Sequence, residues 1–234
     1  FGSFQDDAIT KVSPDGKILF QKSVSNIFIE NNMGHYIFPI VTFFSADPIH
    51  LNDIQPVMND GPYWKRGDIF MSLRHLSMIL LYRPSTNEII WYGAGETVAQ
   101  HDINILDDHR ISIFNNNLQS LSGIAGKGKV DKQNEILIYD FKTNSYSKYL
   151  NESLKKYDVR TVSQGRSRIL DNNDLYVAES NSARLLYFNA DGSLRWQFVN
   201  RAEDDGKAFL MKWPRIFYSP EDLNKIHKVL ESDK

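Results

Sequence analysis

Two histidines open two alternating stretches of the chain. His50 begins "HLNDI" and His101 begins "HDINI", each four residues before an isoleucine, Ile54 and Ile105. In a third comparable stretch that position is Gly165, four before Ile169. Arg74 ends "DIFMSLR", and "RISIFNNN" ends in Asn115, Asn116 and Asn117. These types suit transfer of a tetrahedral oxyanion such as sulfate or phosphate. A neutral imidazole can attack the central atom. A second imidazole can exchange protons with the oxygen that leaves or attacks. A guanidinium and amide donors can stabilise charge on the peripheral oxygens.

Residues so far apart in sequence need elements that bring them together. Apolar residues alternate in short runs, separated by turns such as "SPDG", "PSTN", "DDHR", "DNND" and "NADG". That is the pattern of antiparallel strands joined by tight turns. The acids in these turns lack the ligand spacing of a calcium loop. The strands fall into units of four. One unit reads "IHLNDIQPV", "DIFMSLR", "SMILLYRP", "EIIWYG". The next reads "QHDINIL", "RISIFNN", "EILIYDF", "SYSKYL", and the third "QGRSRIL", "DLYVAES", "ARLLYFN", "SLRWQFV". Trp91 and Trp196 hold the same place in their fourth strands, where they are expected to pack between neighbouring sheets. "AITKV" and "KILFQKS" read as the last two strands of a preceding unit.

Four-stranded units recurring every 40 to 65 residues or so point to an all-β fold, a β-propeller with about three and a half blades readable. The innermost strand of a blade lines the channel. A second strand, running antiparallel, returns to the face where the first began. This places Arg74 near His50, and Asn115 to Asn117 near His101. Extra length between two strands of the second unit, Leu118–Asn134, reads equally as a lid or as an insertion. "MKWPRIFYS" suggests a further strand. A helix is expected over residues 219–232, with Ser219 as its cap, Pro220 at its first position, and Leu223, Ile226 and Leu230 on one face. Ser23–Met33 offers a weaker, short helix.

Bulk composition sets the limits. The chain has 234 residues, 27 Lys+Arg, 29 Asp+Glu and a formal charge of -2. It suits one domain, 1–234, with ample core. Near-neutral charge argues against nucleic acid as a partner. Cysteine is absent, so disulfides, zinc-thiolate sites and thiol nucleophiles are excluded. No apolar run approaches the roughly 20 residues that cross a bilayer, and no signal peptide is visible. Three and a half blades do not close a ring of about four to eight. The chain, starting at Phe1 without an initiator Met, therefore reads as the C-terminal portion of a longer protein, or its two ends complete one blade.

Blander roles compete with the chemical ones. Inner-strand histidines often bond neighbouring blades together. Arg74 could pair with Asp53 or Asp102. Arg166 and Arg168 alternate on the third inner strand and suit an anion or an acidic partner equally. His35, His75, His109 and His227 are expected to be ordinary residues of loops, a turn or a surface helix. No carboxylate cluster matches His50 and His101 as metal ligands, and no cofactor is expected.

"DPIHLNDIQPV", "GDIFMSLR", "IIWYGAG", "QHDINIL" and "ISIFNNN" together resemble the arylsulfotransferase family of β-propeller enzymes. The likeness runs from about Asp6 to Tyr218 and is densest from Asp47 to Asn117. The resemblance implies a six-bladed propeller that moves a sulfo group from an aryl sulfate to a phenol, without a nucleotide donor, through a sulfo-histidine. Carried over by motif, the nucleophile is His101 in "QHD", the supporting histidine is His50 in "HLND", and the arginine is Arg74 in "SLR". Asn52, Asn115, Asn116 and Arg166 are the expected substrate-binding residues. A further upstream histidine of the family has no match in Phe1 to Ile49, and the cysteine pair of some secreted members is absent. The resemblance also implies a periplasmic or extracytoplasmic setting. The competing expectation is a non-catalytic propeller that binds a small anion or a protein; a weaker one is hydrolysis of sulfate or phosphate esters at the same site.

Overall fold

The computed structural model describes residues 4–38, 46–120, 128–130, 133–203 and 206–232. Three four-stranded antiparallel sheets carry the chain. A two-stranded ladder precedes them, β1 (Ala8–Val12) with β2 (Ile18–Ser23), followed by α1 (Val24–Glu30). The first sheet is β3 (Leu51–Pro56), β4 (Ile69–Leu73), β5 (Met78–Arg83) and β6 (Glu88–Ala94), in that order. The second takes β7 (His101–Ile105) and β8 (Arg110–Asn115), then continues with β11 (Glu135–Asp140) and β12 (Ser145–Tyr149). Between β8 and β11 a separate ladder forms from β9 (Leu118–Ser120) and β10 (Gly128–Val130). Residues 121–127 and 131–132 of the long loop lie outside the described residues. After α2 (Asn151–Lys156) comes the third sheet, β13 (Arg166–Ile169), β14 (Leu175–Glu179), β15 (Arg184–Phe188) and β16 (Leu194–Val199).

Strand periodicity decides how the sheets stack. Side chains on a strand alternate between faces. On β5, Met78, Leu80 and Tyr82 join a cluster with Ile27 and Phe28 of α1, while Ile79 and Leu81 face the other way. There they meet Ile103, Ile111, Ile113 and Leu137 of the second sheet. Ile136 and Phe114 look instead toward Leu175, Val177, Leu186 and Phe188 of the third. The second sheet thus buries both faces between the first and the third, and the first strands lie side by side, β3 against β7 and β7 against β13. Burial is complete or nearly so along β4, β5, β8 and β14 and falls away on the fourth strands.

The expected strands of all three units are present. Ser23 caps α1 by accepting the Asn26 N–H, and Ser219 caps α3 (Pro220–Ser232) by accepting the Asp222 N–H. Two expectations change. "MKWPRIFYS" is not a strand. It crosses the third sheet as extended chain, with Ile216 and Tyr218 packed on Leu170, Tyr176 and Tyr187. Trp91 does bridge sheets, its Nε1–H donating to the Tyr139 hydroxyl at 3.2 Å. Trp196 instead stacks on Tyr187 of its own sheet, because no fourth sheet follows it among the described residues. No helix among them is long and apolar enough to cross a membrane.

Carboxylates stitch one unit to the next. Asp7 accepts the Leu51 N–H at 2.8 Å, Asp53 the Ile103 N–H at 2.7 Å, and Asp102 the Ser167 N–H at 2.8 Å. Asp53 works against its surroundings. Burial, and then the nearby Asp102, raise its pKa from 3.8 to about 6. The native state therefore holds this proton more tightly than the unfolded chain does. The stabilisation is complete below about pH 3.8 and is lost as pH rises through about 6. Asp53→Asn keeps an oxygen for Ile103 and removes the buried charge. Denaturant titration at pH 8 should find it more stable than wild type by about 1–3 kcal/mol, with the difference vanishing near pH 4.

Candidate active site

Both inner strands begin in the same way. β3 and β7 each carry a bulge next to their first residue, so Asn52 and Asp102 have no partner in the pairing with β4 and β8. A bulge re-aims the side chains around it. Left-handed backbone accompanies it, with φ of 52° at His50, 49° at Asp102 and 58° at Gln164. Non-glycine residues reach this region at a cost, and such residues gather at functional sites. By register the two histidines are offset by one residue: Leu51 pairs with Leu73, whereas His101 itself pairs with Phe114.

His50 and His101 nevertheless line one cavity of about 290 Å³, together with Asn52, Asp102 and Arg166. Arg74 follows β4, and its backbone N–H donates to the His50 carbonyl at 3.0 Å. The strand-end adjacency read from the sequence is therefore present.

His101 is 8% exposed and fully engaged. Asn116 donates its amide hydrogens to the Thr161 and Gln164 carbonyls, so its Oδ1 faces the imidazole. That oxygen lies 2.7 Å from Nδ1, which must carry the hydrogen. On the other side, Nε2 accepts the Gln164 N–H at 3.1 Å. The ring is thus held neutral with its lone pair on Nε2. Burial, opposed by the Asn116 bond and assisted by the positive field of Arg74, lowers its pKa from 6.5 to about 4.

His50 is held differently. Its Nδ1 lies 2.6 Å from Asp47 Oδ2, and its own backbone N–H donates to Asp47 Oδ1 at 3.1 Å. Nε2 has no hydrogen-bond partner among the described residues. His75 completes the group, its Nδ1 lying 2.6 Å from the Asp47 carbonyl oxygen and its ring 4.4 Å from that of His50. Asp47, His50 and His75 hold their ligand-type atoms within 4.8 Å of one another and could hold a cation. In the structure Asp47 Oδ2 is bonded to His50 Nδ1, and His75 Nδ1 lies 3.7 Å from that oxygen. Asp107, Asp108 and His109 form a second such group in the β7–β8 turn.

Arg74 is half-buried, and burial lowers its pKa while Asp47 partly offsets this. Its Nε is buried without a hydrogen-bond partner. Neither Asp53 nor Asp102 pairs with it. Asp102 is taken by Arg166, whose Nε donates at 2.8 Å. Arg168 donates to Asn104 at 3.2 Å. Asn52 gives its amide N–H to the Gln100 carbonyl, and its Oδ1 is buried without a partner.

Asn115 and Asn116 are buried and do not line the cavity. Asn115 accepts the Val98 N–H and donates to Asn117 and Glu135. Asn117 donates to the Gln133 carbonyl. Asp47, His75 and Gln164 escaped the sequence reading. The first two lie within a few residues of His50 and Arg74, which was the available signal. Gln164 acts through its backbone, where side-chain type says nothing.

No curated protein shows significant similarity to the chain. A family model described as Arylsulfotransferase (ASST) matches residues 2–201, most of the chain, and takes in every one of the cavity residues named above. The chain belongs to the arylsulfotransferase family.

Proposed function

We propose that the chain transfers a sulfo group from an aryl sulfate to a phenol at the His50/His101 cavity, and that its three sheets are blades of a β-propeller. The observation that carries the enzymatic reading is electrostatic. Arg74, a half-buried guanidinium with no carboxylate bonded to it among the described residues, adjoins His50, and its positive field adds to the burial that lowers the pKa of His101. A half-buried cation that Asp47 offsets only in part is costly, and a sulfo group held beside it would neutralise it. The blade reading is supported by face-to-face sheets whose first strands adjoin.

In the proposed reaction Nε2 of His101 attacks sulfur, and the bond from sulfur to the aryl oxygen breaks. The phenolate leaves with the electron pair and is protonated by His50. Arg74 holds the sulfo oxygens with its planar fork. An acceptor phenol then gives its proton to His50 and attacks sulfur. The N–S bond breaks, and its electrons return to Nε2. Asn52 shapes the cavity wall, held by its bond to the Gln100 carbonyl. Arg166 adds positive field at the cavity wall. Asn116 acts indirectly, by fixing which nitrogen of His101 carries the hydrogen, and Asn115 by holding the segment ahead of β7.

The Gln164 N–H must release Nε2 before attack, a loss of about 0.5–1.5 kcal/mol. That favours stating one second reading. His50 already has a free Nε2 and a carboxylate on Nδ1, the arrangement of an activated imidazole. Mapping the sulfo group by mass spectrometry after donor-only incubation separates the two, since the label sits on either His101 or His50.

On the first reading, His101→Ala should lower turnover of a chromogenic aryl sulfate with added phenol by more than about 10³-fold and abolish the labelled intermediate. Full activity in that variant would end the assignment. Arg74→Lys should cost about 10²-fold in kcat, because a point charge cannot span the sulfo oxygens. The nucleophile must be unprotonated, and His101 titrates at about 4. The kcat/KM profile should therefore stay level on its acid side until pH falls toward 4. A limb near 6.5 instead would exclude a neutral, buried His101 as the group that limits the rate.

A further inference from the structure

The family match ends at residue 201, yet the cavity does not. Lys212 and Trp213 line it opposite the inner strands. They belong to the extended chain that follows the third sheet, and that chain is tied down on both sides of them. Before them, the Phe209 N–H donates to the Asn200 carbonyl at 2.9 Å and the Asn200 side chain donates back to the Phe209 carbonyl at 3.1 Å. After them, Ile216 and Tyr218 pack on Leu170, Tyr176 and Tyr187.

Between these anchors Trp213 adopts φ of 57°, a conformation that a bulky aromatic residue rarely takes. Its ring covers the Arg166 guanidinium at 4.5 Å. The residue is still 61% exposed, although it borders a cavity. The strained backbone is not repaid by burial of the indole. It sets a large flat apolar surface at the mouth of a polar, cationic pocket.

We propose that Trp213 is the aryl-recognition wall of this cavity: the aromatic ring of the phenolic substrate stacks on the indole, with Arg166 behind it, while the sulfo group faces His50, His101 and Arg74. This rests on the reading of the cavity as a sulfo-transfer site and adds to it a residue outside the matched family region. Ring recognition and sulfo recognition are then separate interactions on separate walls.

The test uses two ligands that do not react with the unmodified protein. 4-Nitrophenol has the ring without the sulfo group, and methyl sulfate the sulfo group without a ring. Each is titrated calorimetrically into the full chain. Trp213→Gly removes the indole while accepting the positive φ, so the strap keeps its path. It should weaken 4-nitrophenol about tenfold and change methyl sulfate less than about twofold. Trp213→Phe should stay within about threefold of wild type for 4-nitrophenol. Unchanged 4-nitrophenol affinity in Trp213→Gly overturns the proposal, as does equal loss of both ligands, or no 4-nitrophenol binding to wild type at millimolar concentration. If Trp213 governs 4-nitrophenol binding but no sulfo-histidine forms, the wall stands and sulfo transfer fails. If aryl sulfate turns over while Trp213→Gly binds 4-nitrophenol normally, sulfo transfer stands and the wall fails.

Discussion

Everything in the site depends on how one inner strand is held to the next. Apolar packing between sheets is strong but non-directional, and alone it would let neighbouring sheets slide. The carboxylates of Asp7, Asp53 and Asp102 remove that freedom by accepting a single backbone N–H from the following unit, at Leu51, Ile103 and Ser167. Because these bonds fall within a few residues of His50, His101 and Gly165, they fix the relative height of the strands just where the imidazoles stand. Two of the three acids carry a second duty. Asp102 also pairs with Arg166, and Asp53 lies in the repulsive field of Asp102. The same strand ends therefore carry both alignment and electrostatic tension.

Charge in the cavity is arranged unevenly. Negative groups are consumed: Asp47 by His50, His75 and local backbone, and Asp102 by Arg166 and Ser167. The Arg74 guanidinium stands behind the cavity rather than in its lining, with no carboxylate bonded to it among the described residues. An imidazole beside it is driven neutral by burial, so positive charge does not accumulate on it. The His101 lone pair is meanwhile held by the Gln164 N–H, so the ring stays neutral and oriented while positive charge stands beside it.

The repeat was legible because strand alternation and turn chemistry are local properties. All three units, the short helix within Ser23–Met33 and the helix capped by Ser219 follow from residues a few positions apart. The meeting of His50 and His101 in one cavity and the return of Arg74 beside His50 were also legible, since an antiparallel return fixes which ends adjoin, whereas Arg74 is not in the cavity lining. What escaped was set by tertiary neighbours. The bulges at Asn52 and Asp102 shift the register by one residue, so the two histidines are near each other without being equivalent. His75 reads as a loop residue until Asp47 is seen beneath it. Asn115 and Asn116 look like substrate donors in sequence, but in the fold their amides are spent on Val98, Thr161 and Gln164. Residues 211–219 alternate like a strand, yet they pair with no strand among the described residues and lie across a sheet face instead.

That last stretch covers the face of the third sheet turned away from the second. Ile216 and Tyr218 shield Tyr176 and Tyr187 from solvent, and two residues of the same segment border the cavity. Protecting the terminal sheet and enclosing a small molecule are consequently one equilibrium rather than two. A ligand that holds the segment down lends its binding free energy to the edge of the core, and fraying of that edge opens the cavity from behind.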